Sequence, residues 1–226
     1  MKRKTSAFTL IEMLVVISII VVLAAFAGPA LFSALSKGQL TAEVNNTRQL
    51  YLAGQQMALD GSANANAQLV WPGDDATITT LAQYCTRLVT NDYLKTGDLQ
   101  KLFSAPGVTC TATGATAGTP PVTTVTLGGT SAVKIYPVKE NDSSNTVFAV
   151  TANYDYDTAL DATKSPFGDK GFVVQRKGGD ASVFRKNQAV AESGKEAEFQ
   201  ATVGKKPGQA DGTVTAGDPT GVLKFP

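Results

Sequence analysis

Lys2-Arg3-Lys4-Thr5-Ser6-Ala7-Phe8-Thr9-Leu10-Ile11-Glu12 is the opening stretch of this chain, and an uncharged, mostly apolar run follows it over residues 13–36. At about 1.5 Å per residue this run forms roughly 36 Å of helix, which exceeds the roughly 30 Å of hydrocarbon in a bilayer. The basic residues lie on one side of it and predict a cytoplasmic N-terminus. We therefore expect a single transmembrane helix, with the chain from Lys37 onward outside the cytoplasm.

Glu12 is the one acidic residue in this apolar region. A charge in hydrocarbon costs on the order of 3 kcal/mol, so an intramembrane carboxylate indicates a functional role. The alternative is that Glu12 is a polar residue tolerated near a helix end.

The residues from Ala7 to Glu12, followed by Met13-Leu14-Val15-Val16-Ile17, resemble the N-terminus of type IV pilins and type II secretion pseudopilins. The resemblance implies that a prepilin peptidase cuts between Ala7 and Phe8 and that the new amine of Phe8 is methylated. It also implies that Glu12 pairs with the Phe8 amine of a neighbouring subunit during assembly. The family usually has Gly before the cut, whereas this chain has Ala7.

Pro29 matches a proline that many type IV pilins carry at the same distance from the cut. Because proline lacks a backbone donor and crowds the preceding turn, we expect a helix kink at Pro29.

A conventional signal peptide is the main alternative for this region. Ala25-Phe26-Ala27 has the small-x-small pattern of a cleavage site, and a cut after Ala27 would release a secreted soluble binding protein. An uncleaved signal anchor is a further alternative. Glu12 favours the prepilin interpretation, because it would interrupt the apolar core of a signal peptide without purpose.

An amphipathic helix is predicted to continue the membrane helix over residues 37–60. One face of this helix is formed by residues that recur every three or four positions, namely Leu40, Val44, Thr47, Tyr51, Gly54 and Ala58. Leu50 and Met57 widen this stripe, and Glu43, Arg48 and Asp60 are expected elsewhere, on the solvent-exposed surface. Gly61 is expected to end the helix as a left-handed cap.

The remainder, residues 61–226, is predicted to be an extracytoplasmic α+β domain. A second helix is expected over residues 79–91, with Leu81, Tyr84, Cys85, Leu88 and Val89 on its buried face, and a short one ends near Phe103. The Tyr93-Leu94 exit from the second helix resembles pseudopilin-like domains. Residues 111–132, rich in Thr, Gly and Ala, are predicted to be a flexible surface loop.

Strands are predicted over residues 133–138, 146–152, 171–176, 181–185 and 197–203. Gly178-Gly179 indicates a hairpin with a two-residue turn between two of them. The last 20 residues are expected to be extended coil. The fold class is therefore α+β and pilin-like: a long N-terminal helix, half transmembrane and half amphipathic, packed against a small antiparallel sheet.

Cys85 and Cys110 are the two cysteines of the chain. In an oxidising compartment they predict a disulfide, whereas two buried free thiols are the alternative. A loop of this length contributes about 3 kcal/mol in the chain-entropy model.

Composition excludes several classes of function. The chain has no histidine, so Ser-His-Asp catalysis and His-ligated zinc are excluded. Removing residues 1–7 leaves 17 basic against 19 acidic side chains, which gives no sign of a nucleic-acid-binding surface. No catalytic motif indicates an enzyme, and no cofactor is expected.

Calcium is a further possibility for the acidic residues of the domain. Some major pseudopilins bind calcium in a late loop, and oxygen ligands suit that ion. The candidates are Glu140, Asp142, Asp155, Asp157 and Asp161. Their spacing matches no EF-hand loop, which favours solvated acids.

The sequence thus predicts a structural subunit of a pilin-like fibre that assembles from the bacterial inner membrane. A type II secretion pseudopilin is preferred, and a type IV pilin for adhesion, motility or DNA uptake is the alternative. The partners that the resemblance implies are the prepilin peptidase and methylase, other pilin or pseudopilin subunits, and an inner-membrane assembly platform.

Overall fold

The computed structural model describes residues 9–119 and 121–225. The chain divides into two units, of which the first ends at Gly38 and the second begins at Gln39. The first unit is the N-terminal part of helix α1, Leu10–Ala63. The second unit, called the head here, contains the remainder of α1 and every other element of the chain.

Within the head, α1 buries the stripe that the sequence predicts. Leu40, Leu50, Tyr51 and Met57 are all buried. Gly61 lies inside the helix, so its prediction as a left-handed cap is wrong. A Cβ at Gly61 would stand 1.7 Å from the carbonyl oxygen of Leu69, so the absence of a side chain allows the backbones to approach closely.

Two short helices follow α1. Helix α2, Leu81–Thr90, begins with a capping box, because the N–H of Gln83 donates to the Thr80 hydroxyl and Gln83 accepts from the N–H of Thr80. All five apolar positions predicted for its inner face are buried. Helix α3 spans Thr96–Leu102.

Residues 111–132 are not the flexible loop that composition predicts. They form most of an antiparallel hairpin of β1, Cys110–Ala117, and β2, Val122–Gly129. The prediction weighed Gly, Pro and small residues, but β1 contains three Thr residues and β2 contains three Thr and two Val, and these β-branched residues favour strands. Pro121 falls between the strands, where it costs no ladder hydrogen bond.

A four-stranded antiparallel sheet follows, in the order β3-β4-β5-β6. Its strands are Val133–Ile135, Val147–Thr151, Phe172–Arg176 and Ala181–Phe184. The predicted hairpin joins β5 and β6, and Gly179 adopts a φ of 95° there. The N–H of Gly179 donates to the carbonyl of Arg176, whose own N–H donates to Asp180, so the connection has three residues rather than two.

The strand predicted over residues 197–203 is wrong, because this segment is helix α4, Glu196–Thr202. Its Glu, Ala and Gln residues favour helix, and its apolar residues Phe199 and Val203 lie four apart. A 3₁₀ turn, Lys186–Gln188, precedes α4. The segment after α4 is coil, as predicted, but it is held in place, since Leu223 and Ile135 exchange both backbone hydrogen bonds.

Helix α1 and the sheet share the main core of the head. Leu50 and Met57 belong to the same buried cluster as Ile135 and Phe148. A second cluster joins the sheet to α4 through Phe172, Val174 and Phe199. All five residues of β4 are buried, so the sheet is covered on both faces there. The fold is α+β and pilin-like, as the sequence predicts.

Glu43 is buried, with 2% of its surface exposed, so its predicted place on the solvent-exposed surface is wrong. One carboxyl oxygen accepts a hydrogen bond from the Asn46 amide, and the other has no partner among the described residues. Burial disfavours the charged form and raises the pKa of Glu43 to about 7, although Asn46 partly opposes the shift.

We predict that Glu43 makes the head less stable as pH rises. Below the ordinary pKa near 4.5 both folded and unfolded chains are protonated at this position. Between pH 4.5 and 7 the unfolded chain ionises first, so stability falls through this window, by up to about 3 kcal/mol, and then levels off.

The test is urea unfolding of the full-length protein in detergent micelles, followed by circular dichroism at several pH values. Glu43→Gln should match the parent at low pH and exceed its stability above pH 7. Equal pH dependence of the two proteins would contradict the assignment of the buried proton to Glu43.

Candidate assembly site

The N-terminus of α1 is organised by Thr9 and Glu12. The backbone N–H and the hydroxyl of Thr9 both donate to Glu12 Oε2, at 2.7 and 2.8 Å. The N–H of Glu12 lies 3.3 Å from the Thr9 hydroxyl and donates to it. The two residues therefore form a reciprocal capping box, with Thr9 at the N-cap position and Glu12 three residues on.

Thr9 was not among the residues that the sequence analysis identified as functional. Its signal is the spacing Thr9-x-x-Glu12 directly before an apolar run, which is the pattern of a capping box. Glu12 thus has a structural role within its own chain in addition to the intermolecular role that the resemblance implies. An experiment on Glu12 has to separate the two roles.

The apolar half of α1 has no cover within the chain. Every side chain of residues 10–27 is exposed, and so are Leu31 and Leu35. Leu10 and Phe26 each expose about four fifths of their surface (82% and 81%). Soluble monomers rarely expose apolar surface on this scale, so the segment needs lipid or other helices around it. Among the described residues, α1 is the one helix long and apolar enough to cross a membrane.

Three further residues of this region were predicted to be functional: Ala7, Phe8 and Pro29. Ala7 and Phe8 lie outside the described residues. Helix α1 continues through Pro29 without a break, and the kink at Pro29 stays a prediction.

Cys85 on α2 and Cys110 at the start of β1 are free thiols in the structure, and both are buried in the main core cluster. Burial raises the pKa of both thiols, and the nearby Cys110 raises that of Cys85 further. The neutral thiol is therefore the stable form, and neither sulfur is a reactive thiolate at neutral pH. The disulfide stays a prediction.

Asp155 is engaged by two lysines. Lys134 Nζ lies 2.6 Å from Asp155 and 2.6 Å from Asp218, and Lys164 also pairs with Asp155. Burial opposes ionisation of Asp155, but the hydrogen bonds and positive charges of both lysines outweigh it and lower its pKa to about 2. The Tyr136 hydroxyl donates to Asp218 at 2.8 Å, which completes the network.

Three of the other four acidic candidates accept hydrogen bonds from neighbouring groups, and at Glu140 the backbone N–H donates to Asp74. Asp157 accepts from the N–H of Ala191, Asp161 from Thr163, and Asp142 from the N–H of Lys139. In the part of the chain that the structure describes, no three acidic or cysteine side chains are grouped as metal ligands would be. Asp155 is instead paired with Lys134 and Lys164, and Lys134 also joins it to Asp218.

Comparison with protein families matches residues 2–28 to the prokaryotic N-terminal methylation motif, the prepilin-type signal of type IV pilins and pseudopilins. Comparisons with curated proteins and with solved structures gave no match. The matched segment contains Ala7, Phe8 and Glu12, and it ends at Gly28. The apolar half of α1 together with this signal fits membrane anchoring, and the motif supports a pilin-like subunit.

We predict that Cys85 and Cys110 form a disulfide in the mature protein, because an extracytoplasmic head is exposed to an oxidising compartment. Peptide mapping without reductant should recover the two cysteines in one linked peptide. The control is the same protein expressed without its membrane segment in the cytoplasm, where both thiols should stay free. Free labelling of both thiols in the mature, denatured protein would show that the bridge is absent.

Proposed function

We propose that this protein is a structural subunit of a pilin-like fibre assembled from the bacterial inner membrane, and specifically a pseudopilin of a type II secretion system. The observation that carries the proposal is the methylation motif at residues 2–28, whose part from Leu10 onward lies on a helix with an apolar half that is exposed on every side. The protein acts by assembly and not by catalysis. The prepilin peptidase, its methylase activity and an inner-membrane platform are the partners proposed for it.

The apolar half of α1 explains why membrane storage and fibre assembly go together. Leaving one Leu, Ile or Val side chain in water rather than buried costs about 1.5–3 kcal/mol. Residues such as Leu14, Ile19 and Val22 can therefore leave lipid only if other helices cover them at the same time. A bundle of identical helices provides that cover and stays connected to the membrane while it grows.

Glu12 supplies the polar contact in this assembly. Cleavage after Ala7 leaves a positively charged amine on Phe8, which would enter an apolar bundle without a partner. The Glu12 carboxylate of a neighbouring subunit neutralises it, so that neither charge is buried alone. The capping box keeps the carboxylate at the N-terminal end of α1 before assembly.

A type IV pilin is the second candidate, and Pro29 favours it. The Tyr93-Leu94 exit from α2 favours the pseudopilin. Neighbouring genes for a secretin, a traffic ATPase or a retraction ATPase would distinguish the two candidates.

We predict that residues 1–7 are removed and that Phe8 becomes a methylated N-terminus. Intact mass and N-terminal sequencing of protein extracted from membranes measure both changes. Ala7→Gly, which restores the residue usual in the family, should be cleaved at least as efficiently. A mature chain that begins at Gly28 and is free of the membrane would contradict the proposal and favour the secreted soluble protein.

We predict that Glu12→Ala leaves membrane insertion intact but abolishes multimers. Removal of a charge makes the span more apolar, so insertion is preserved. Loss of the carboxylate leaves the Phe8 amine buried alone, and breaking a buried pair in this way costs about 3–5 kcal/mol per contact. Glu12→Asp should retain part of the assembly, because it keeps the charge on a shorter side chain.

Thr9→Val is the matched control, since it removes the capping hydroxyl and keeps the Glu12 charge. It should cost only about 1 kcal/mol of helix stability and leave multimers in place. The measurement is the amount of sheared or cross-linked multimer at equal membrane levels. Equal loss in Thr9→Val and Glu12→Ala would show that Glu12 acts as a cap rather than as an assembly contact.

A further inference from the structure

A cavity of about 140 Å³ lies in the head beside helix α1, and it is called the α1 cavity here. Ser62 and Glu140 at this cavity are exposed, so solvent reaches it, whereas Tyr51 and Trp71 are buried. Six residues that line it come from four parts of the chain: Tyr51, Gln55 and Ser62 on α1, Trp71 between α1 and α2, Glu140 between β3 and β4, and Lys177 between β5 and β6.

The wall of the α1 cavity is held in place by contacts between these elements. Lys177 Nζ donates to the backbone carbonyls of Glu140 and Asp142, at 2.9 Å for the latter. The Tyr51 hydroxyl donates to the backbone carbonyl of Lys177 at 2.7 Å, which ties the β5–β6 connection to α1. The cavity is therefore formed before any ligand arrives, and binding needs little ordering of the protein.

Trp71 supplies the observation that points to a ligand. Only 4% of its surface is exposed. Its ring contacts Tyr51, Phe148 and Lys177, but its indole N–H donates to no residue that the structure describes. A buried indole N–H usually has a hydrogen-bond partner. The acceptor for this N–H therefore has to come from outside the described chain, and the cavity that the ring lines has room for it.

Three further polar groups of the α1 cavity lack a hydrogen-bond partner within the described part of the chain, namely the Gln55 amide, the Ser62 hydroxyl and the Glu140 carboxylate. The Lys177 ammonium has a third proton beyond its two carbonyl contacts. The indole and the ammonium donate, the carboxylate accepts, and the amide and the hydroxyl do both. A matching ligand therefore has to donate hydrogen bonds as well as accept them.

Charge and size restrict the ligand further. Lys177 and Glu140 place one positive and one negative group at the same cavity. A small anion would be repelled by Glu140, and a small cation by Lys177, so a simple ion is disfavoured. Drug-sized ligands occupy pockets of about 300–1,000 Å³, and the α1 cavity is smaller. A neutral molecule the size of a single ring suits it best.

We propose that the α1 cavity binds one residue of a neutral sugar. Every sugar hydroxyl both donates and accepts, so two neighbouring hydroxyls can bond to the Gln55 amide or to the Glu140 carboxylate. The C–H side of the sugar ring then lies against Leu59 and Trp71, which also line the cavity. A free monosaccharide and the last residue of a glycan share this chemistry. The inference goes beyond the proposed function and is independent of it, because the cavity lies wholly in one head.

The test uses the full-length protein in micelles of a detergent without a sugar headgroup. Trp71 is the one tryptophan, so isotope-labelled protein gives a single indole N–H signal in NMR spectra. Glucose, galactose, mannose and N-acetylglucosamine are titrated separately. At least one of them should shift this signal in a saturable way, with a Kd in the millimolar range, because one sugar residue is a small ligand with few contacts.

Gln55→Ala removes a group that lines the cavity and should weaken sugar binding about fivefold or more. Gln56→Ala is the matched control, because Gln56 is exposed on the same helix and does not line the cavity. It should bind sugar as the parent does. Alanine favours helix at both positions, and circular dichroism checks that both variants are folded.

The methyl glycoside of the sugar that binds distinguishes the two sources. Equal affinity for the glycoside supports the end of a glycan, whose linkage stays outside the cavity. Weaker binding of the glycoside supports a free monosaccharide, whose anomeric hydroxyl is bound.

Absence of a saturable shift with all four sugars would overturn the inference, and so would equal affinities of Gln55→Ala and the parent. Acetate or glycine that shifts the indole signal more than the sugars do at equal concentration would identify a site for ions instead, and would overturn it as well. Each of these results leaves the proposed function standing, since that function is tested by multimers and not by sugar binding.

Discussion

An apolar helix that is exposed on all sides must be covered by something outside its own chain, and this constraint governs the protein. Residues 10–27 of α1 have no polar face on which they could lie against water. Beyond Leu40 the same helix becomes one-sided, with Leu50 and Met57 inside and Arg48 outside. The first half of the helix therefore suits lipid or other helices, and the second half suits the core of the head. The change from an all-apolar to a one-sided pattern occurs where the head begins.

Two buried ionisable side chains of the head, those of Lys134 and Glu43, have opposite surroundings. Lys134, almost fully buried, has two carboxylate partners, and through Asp218 it fixes the coil after α4 to strand β3. Glu43, equally buried, has only the amide of Asn46. A paired charge remains ionised, whereas a carboxyl without a counter-ion takes up a proton instead. The first arrangement connects two distant segments of the head, and the second makes the head sensitive to pH.

Local patterns predicted most of this fold, and the errors have physical causes. Every residue on the inner face of α2 was predicted correctly, because the apolar residues of this segment lie on one side only if the segment is a helix. The hairpin of β1 and β2 was missed because small residues and prolines suggest a loop, while pairing between segments is not visible in either segment alone. The burial of Glu43 was missed for a related reason. A charged residue is assigned to the surface by default, and only the packing of other elements against α1 reverses that assignment.

In the candidate site too, residues with a local sequence signal could be predicted, whereas contacts between distant segments could not. Glu12 was identified because an acid in an apolar run is conspicuous in any sequence. Thr9 was overlooked, although its spacing from Glu12 is a known helix-start pattern. The contacts of Asp155 with Lys134 and Lys164 join segments that are far apart in sequence, so composition indicated only a cluster of acids.

Trp71 is the one tryptophan of the chain, and it lies between α1 and the sheet. Its ring is 6.0 Å from that of Tyr51 on α1 and 5.6 Å from that of Phe148 on β4, with Lys177 Nζ 5.8 Å above it. Tryptophan fluorescence, excited where the six tyrosines absorb little, is therefore expected to report the docking of the helix on the strands. Because Trp71 is buried in the head, we expect its emission to change little when the apolar half passes between lipid, detergent and fibre, so that one signal follows the folding of the head in all three.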